Sequence, residues 1–260
     1  GTPLRRPKAE ACSHASSERG RTPSAHREAG GGPARCVTAW GARGAERYFK
    51  NTINCYGVAA PDIHALAAEL HGLVKAAWTY DDAVELCDLL VRDPELEAKA
   101  VGTLVLCRFK KAFTPGLFAR VKDWLAADRL DNWASVDTFC TDGMGAFLER
   151  YPVYVEKIKA WAFHPNRWVK RASLVSFIKV ARKPEFLPAI YEISASVFPV
   201  DDDLVQKANG WLLREAGKAD PARLERFLLE HGPAIPRTTL RYAIERFPPA
   251  RRKALLLETK

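Results

Sequence analysis

Residues 206–215 read QKANGWLLRE, and the pair near the start of this segment, a large or basic residue followed by alanine, recurs along the chain. The recurrences begin at Lys99, Trp133, Arg171, Lys207 and Tyr242, at intervals of 34, 38, 36 and 35 residues. Such an interval holds two helices and two turns, the period of helix-pair repeat arrays. We therefore predict an all-α, HEAT-like helical-repeat solenoid whose second helices line a concave face.

The stretches between the recurrences carry signals typical of helix starts. A carboxylate or hydroxyl caps the first free amides of a helix, and proline is tolerated in the first turn. Such signals occur at Asp81-Asp82, Asp93-Pro94, Thr114-Pro115, Asp201-Asp202-Asp203 and Asp220-Pro221. We find no convincing alternation of apolar and polar residues with a period of two, so strands are not expected.

The composition changes before the first repeat. Residues 1–43 are rich in Gly, Pro, Ser, Ala and Arg without apolar periodicity, which predicts a disordered basic tail ahead of a repeat domain at 44–260. The formal net charge of the chain is +9, and residues 1–47 contribute +5 of it through nine Lys or Arg against four Glu. This excess favours an anionic partner, although a basic tail on a nearly balanced domain explains it equally well.

The six cysteines, Cys12, Cys36, Cys55, Cys87, Cys107 and Cys140, form no C-x-x-C pair and are joined by no histidine cluster at zinc spacing. This pattern predicts free thiols and no metal site. The N-terminus has no apolar core of the secretory kind, and no apolar run approaches the ~18–20 residues that cross a bilayer. We expect a monomer in the reducing cytoplasm or nucleus, away from membranes.

The repeat register predicts a row of cations on the concave face. Lys99, Arg171 and Lys207 occupy equivalent positions in three repeats. Cations at repeat spacing suit a polyanionic rod better than a small ligand, so the concave face is a candidate DNA-binding face. The alternative, from the charges alone, is a solvated charged surface.

The same register brings chemically unusual residues together. Trp133 and Asp137 are four residues apart and therefore share one face of a helix. Trp211 lies one turn beyond Lys207 and is equivalent to Asp137 in its own repeat. With Arg171, these positions predict a patch of two indoles, a carboxylate and a guanidinium. Taken alone, each Trp could be a core residue, and the Asp and the Arg could be surface residues. Their shared repeat register favours a functional site.

Four segments resemble the HEAT-like-repeat alkylpurine DNA glycosylases, the AlkD-like DNA alkylation repair family. They are YFKN at 48–51, WASVD at 133–137, WVKRA at 168–172 and the segment at 206–215, within a likeness that runs from about 46 to about 247. The resemblance implies that double-stranded DNA containing alkylated bases lies on the concave face, with Trp133, Asp137 and Trp211 around the lesion. It implies DNA contacts from Arg171 and Tyr48. Further candidate phosphate contacts are Lys99, Lys170, Lys207 and Arg214.

The activity implied by the resemblance is base excision repair: hydrolysis of the N-glycosidic bond of purines alkylated at N3 or N7, without reliance on flipping the base into a pocket and without a cofactor. Such a purine is cationic and leaves readily, while Asp137 would stabilise the charge that develops on the sugar. Asn132 stands where some members have a second aromatic residue, which could narrow the lesion range. A catalytically inactive nucleic-acid-binding relative and a protein–protein scaffold are the alternatives.

Overall fold

The computed structural model describes residues 53–260, and this part of the chain contains helices and turns but no strand. The all-α prediction is therefore confirmed. The predicted tail at 1–43 and Tyr48 lie outside the described residues. The α-helices are α1 (Ala60–Val74), α2 (Tyr80–Leu90), α3 (Leu96–Arg108), α4 (Leu117–Ala126), α5 (Trp133–Phe139), α6 (Gly145–Arg150), α7 (Val155–Lys159), α8 (Arg167–Val175), α9 (Leu187–Ser196), α10 (Asp203–Gly217), α11 (Pro221–His231), α12 (Arg237–Ala243) and α13 (Pro249–Glu258).

Two helices begin at predicted caps, and α2 begins ahead of its predicted signal because Thr79, not Asp81 or Asp82, is the capping residue. The Thr79 side chain accepts a hydrogen bond from the Asp82 N–H, and Asp82 accepts one from the Thr79 N–H, which forms a capping box at α2. Asp202 caps α10, and Asp220 caps α11 with Pro221 as the first helical residue. Local sequence therefore sets these boundaries.

Two predicted starts are displaced by two residues. Asp93 accepts a hydrogen bond of 2.8 Å from the Glu95 N–H, so its carboxylate closes a turn and α3 begins only at Leu96. After Thr114-Pro115 a turn likewise precedes α4, which begins at Leu117. In the described chain neither helix has a side-chain cap.

The five sequence recurrences fall on α3, α5, α8, α10 and α12, which we call the repeat helices. Each repeat helix contacts the next one in chain order, as stacked repeats require. Helices α2, α9 and α11, which carry none of the recurrences, also pack against the repeat helices. The small side chain of the alanine that follows each recurrence would allow neighbouring repeat helices to approach closely. Ala172, Ala208 and Ala243 are buried, whereas Ala100 and Ala134 are half-buried.

A single cluster of buried apolar side chains extends from Ala83 in α2 to Leu255 in α13. It includes the free thiols of Cys87, Cys107 and Cys140, and burial raises the pKa of Cys107 to about 12. These thiols therefore act as small apolar core groups. None of the helices in residues 53–260 is long and apolar enough to cross a bilayer.

Two repeat helices approach each other closely at Gly210 in α10. A Cβ atom at this position would lie 2.4 Å from the Cβ of Tyr242 and 2.6 Å from the carbonyl oxygen of Thr239, both in α12. Because no side chain fits there, Gly210 sets how closely α10 and α12 pack.

We predict that Gly210→Ala destabilises the protein by about 1–2 kcal/mol. Alanine gains about 1 kcal/mol of helix propensity over glycine, but overpacking against the backbone of α12 costs more. Gly72→Ala is the matched control, because its Cβ would meet nothing within 4 Å, and it should be neutral or stabilising. Urea unfolding of both variants measures the difference; equal stability of Gly210→Ala and the wild type would refute the close contact.

Candidate functional site

A cavity of about 540 Å³ is lined by residues of the repeat helices α5, α8 and α10 and of the turns that precede them. Six of the residues that were selected from the sequence line it: Trp133, Asp137, Arg171, Lys207, Trp211 and Arg214. The two indoles, the carboxylate and the guanidinium are thus brought to one place by successive repeats. Asp131, Asn132, Arg167, Trp168, Asp202 and Tyr242 also line the cavity and were not selected.

A bidentate ion pair between Asp137 and Arg171 lies in the cavity wall. Arg171 Nε donates to Asp137 Oδ1 over 2.8 Å and Nη2 donates to Oδ2 over 2.6 Å. Arg171 Nη1 donates to the carbonyl oxygen of Leu204, in the first turn of α10. Arg171 is only 5% exposed, so its guanidinium is held between three repeat helices. The sequence predicted a DNA backbone contact at Arg171; in the structure its donors are directed to Asp137 and Leu204.

The ionisation of Asp137 is set by two opposing effects. Burial is the larger effect and raises the pKa of its carboxyl group above the usual value, while the hydrogen bonds and the charge of Arg171 limit this rise. A forked guanidinium matches the ionised carboxylate on both oxygens, and arginine stays charged at physiological pH. We therefore describe Asp137 as a carboxylate at neutral pH. Each oxygen has a second lone pair that can accept a hydrogen bond from the cavity side.

Trp133 is the first residue of α5, and the capped turn before it positions its side chain at the cavity. Asn132 accepts a hydrogen bond of 2.9 Å from the Ser135 N–H, and this caps α5 directly ahead of Trp133. Asn132 also donates to Asp131 Oδ1 over 3.1 Å, and Lys99 Nζ donates to the same oxygen over 2.7 Å. Asn132 thus holds the start of α5, a role that its sequence position did not reveal.

Lys99 was predicted as a phosphate contact on the concave face. In the structure it is only 4% exposed, and its ammonium group bonds to Asp131 from beneath the turn. A buried ammonium that already has a carboxylate partner supports the turn better than it reaches a ligand. The pairing was not visible in the sequence because the two residues are 32 positions apart.

The remaining cations of the cavity also have carboxylate partners. Lys207 pairs with Asp203 over 2.9 Å, and Arg167 pairs with Asp202 over 2.7 Å. Arg214 pairs with Glu245. Among residues 53–260, every Lys or Arg that lines this cavity therefore lies beside a carboxylate, so the cavity is close to neutral. An aromatic, charge-balanced cavity is suited to a delocalised cation more than to a bare phosphate.

Of the other predicted DNA contacts, Lys170 falls outside the cavity. Lys170 lines a neighbouring depression together with Arg167 and Asp202. Tyr48 lies outside the described residues. No group of His, Cys, Asp or Glu side chains in residues 53–260 is arranged to hold a metal ion.

The described residues form an all-helical protein whose cavity contains aromatic side chains and an ion-paired carboxylate. Comparisons with known proteins identify its family. The sequence profile of a family described as DNA alkylation repair enzyme matches residues 39–247. This match covers most of the chain, and the protein belongs to the DNA alkylation repair enzyme family.

A solved structure described as a predicted DNA alkylation repair enzyme from Enterococcus faecalis has a similar fold. The TM-score is 0.71 at 18% sequence identity, over 81% of this chain and 96% of that chain. At this identity the likeness establishes the fold. A search of curated proteins gave no significant match.

We predict that Asp137 and Arg171 are strongly coupled in stability. Asp137→Asn or Arg171→Gln alone leaves a buried charge without its partner and should cost about 3 kcal/mol. The double variant should lose at least ~1 kcal/mol less than the sum of the single losses. Urea unfolding of the four proteins measures this. The more exposed pair Arg251 and Glu225 is the control, with an expected coupling below about 1 kcal/mol; additive losses at the cavity pair would contradict the buried ion pair.

Proposed function

We propose that the protein is a monomeric DNA glycosylase that excises cationic N3- and N7-alkylated purines from duplex DNA by hydrolysis of the N-glycosidic bond. The observation that carries this proposal is the Asp137 carboxylate, held by Arg171 in a cavity that also contains the indoles of Trp133 and Trp211. Membership of a DNA alkylation repair family indicates that the substrate is DNA.

The leaving group explains why this cavity needs no strong general acid. Alkylation at N3 or N7 gives the purine a positive charge, so the base departs as a neutral molecule without prior protonation. As the bond to the sugar stretches, positive charge moves onto the deoxyribose. The task of the protein is then to stabilise that charge and to admit a water molecule.

Asp137 is suited to this task because its carboxylate is fixed before the substrate arrives. A preorganised charge in a partly desolvated cavity stabilises a developing opposite charge without the cost of reorientation. The free lone pairs of Asp137 could also orient the attacking water. Arg171 is a positioning residue in this scheme, since it keeps the carboxylate ionised and fixes its plane.

Trp133 and Trp211 supply a second source of stabilisation. The faces of indole rings are electron-rich and attract cations by roughly 0.5–2 kcal/mol per contact. The two residues come from α5 and α10, on either side of Arg171 in α8, and both line the cavity. In this proposal they contact the sugar of the lesion nucleotide and favour its cationic transition state over its neutral ground state.

Lys207, Arg214 and Lys170 remain candidate contacts to the phosphates beside the lesion. Lys207 and Arg214 line the cavity, and Lys170 lines the adjoining depression. Lys99 is not included in this set, because its buried ammonium group supports the turn that carries Trp133.

We predict that Asp137→Asn, compared at equal concentrations of folded protein, keeps duplex binding but excises 7-methylguanine and 3-methyladenine at least about 100-fold more slowly than the wild type, because the charge that stabilises the sugar cation is lost. Release of both bases from methylated duplex DNA measures excision, and fluorescence anisotropy measures binding. Asp203→Asn is the matched control, since Asp203 lines the same cavity and is also ion-paired but is more exposed. It should change excision less than tenfold.

The outcomes separate the candidate functions. Excision by Asp137→Asn at the wild-type rate would contradict the assigned role of the carboxylate. If the wild type binds DNA in a salt-sensitive manner but releases neither base, the protein is a nucleic-acid-binding relative without glycosylase activity. If it does not bind DNA, the helical-repeat scaffold is the better interpretation.

A further inference from the structure

Charged side chains also cluster just beyond the C-terminal ends of the repeat helices. Lys110 follows α3, Asp142 follows α5, Lys179 and Arg182 follow α8, and Lys218 follows α10. Together with Glu215 in the last turn of α10, these residues are called the basic row. The sequence register did not predict this row, because its members come from turns whose lengths differ between repeats.

The basic row is linked by ion pairs across successive repeats. Lys110 Nζ lies 3.0 Å from each carboxylate oxygen of Asp142, and Lys179 Nζ lies 2.8 Å from Oδ1 of the same residue. At the other end, Arg182 lies 3.6 Å and Lys218 lies 2.6 Å from the carboxylate of Glu215. Each carboxylate therefore serves two row cations at once.

The two halves of the basic row meet between Lys179 and Arg182. The chain here forms consecutive turns in which an N–H donates to the carbonyl three residues earlier, as Val180 does to Phe177 and Lys183 does to Val180. In such tight turns, residues three apart lie on the same side. Lys179 and Arg182 therefore project in a common direction and make the row continuous.

The charge balance of the basic row differs from that of the cavity. Four cations share two carboxylates, which leaves a net charge of +2. The adjacent Lys183 pairs with Glu149 and adds none. The Lys110 and Arg182 side chains are 40% and 64% exposed, so their donors reach solvent. Since a lysine ammonium has three donors and a guanidinium five, each can bind a phosphate oxygen while it keeps its carboxylate partner.

The basic row borders the cavity at two places. Asp137 lines the cavity and also a groove of about 780 Å³ that is lined by Lys110 and Asp142. Arg214 lines the cavity, and its Nε lies 3.9 Å from the carboxylate of Glu215. A chain of phosphates that crosses the row would thus pass beside the lesion site.

We infer that the basic row binds the sugar–phosphate backbone of duplex DNA while the charge-balanced cavity receives the lesion nucleotide. This inference rests on the proposed function only in taking DNA as the polyanion. The main electrostatic attraction for DNA then comes from the row, where cations outnumber carboxylates. In the cavity each cation is matched by a carboxylate. Phosphate contacts supply affinity and register, so the row would hold the duplex for the chemistry at Asp137.

The test is the salt dependence of binding of full-length protein to an unmodified DNA duplex. Lys110→Gln/Arg182→Gln removes one cation from each half of the row and leaves Asp142 with Lys179 and Glu215 with Lys218. The slope of log K against log salt should fall in magnitude by about 1.8, since each phosphate contact contributes about 0.9. The matched control Arg252→Gln/Lys253→Gln removes the same charge from exposed positions of α13 and should keep the wild-type slope.

Equal slopes for the row variant and the wild type would overturn the inference, as would equal reductions in the row and control variants. Excision of 7-methylguanine by the wild type is measured in parallel, so that the two proposals are judged separately. A reduced slope specific to the row variant supports the basic row even if the wild type releases no base. An unchanged slope with full excision refutes the row and leaves the glycosylase proposal intact.

Discussion

The ion pair between Asp137 and Arg171 is the contact on which the candidate site depends. It joins α5 to α8 across 34 residues, and the third donor of Arg171 extends the link to α10 through Leu204. Three successive repeats are therefore tied at one guanidinium. Removing such a pair from water is costly, and this cost is recovered only when the geometry is good and the remaining donors are satisfied. Here the pair is bidentate, and a further N–H of the guanidinium is taken up by the Leu204 carbonyl.

The balance of charge differs between the cavity and the basic row. Around the cavity each cation lies beside a carboxylate, so aromatic faces and one fixed carboxylate dominate its chemistry. Beyond the C-terminal ends of the same helices, cations outnumber carboxylates. A site for a developing sugar cation and a surface for phosphates need opposite potentials, and the cavity and the adjoining basic row provide both within one repeat array.

The sequence predicted the all-α class and the convergence of Trp133, Asp137, Arg171 and Trp211, because a repeat register places equivalent positions of successive helices side by side. It did not predict which charges pair. Lys99 and Arg171 both looked like exposed cations, yet their partners lie 32 and 34 residues away, where periodicity gives no information on side-chain direction. The repeat register could not predict the basic row for a related reason. Irregular turns supply its cations, and only the folded chain brings them together.

The central claim is that the cavity acts on bases that already carry a positive charge, since it stabilises a sugar cation and supplies no strong acid to the leaving group. The most direct measurement compares excision of 7-methylguanine with excision of hypoxanthine, a neutral purine, from duplexes of otherwise identical sequence. The account predicts rapid release of 7-methylguanine and no measurable release of hypoxanthine. Comparable rates for the two bases would contradict it, because a neutral purine leaves only when an acid protonates it.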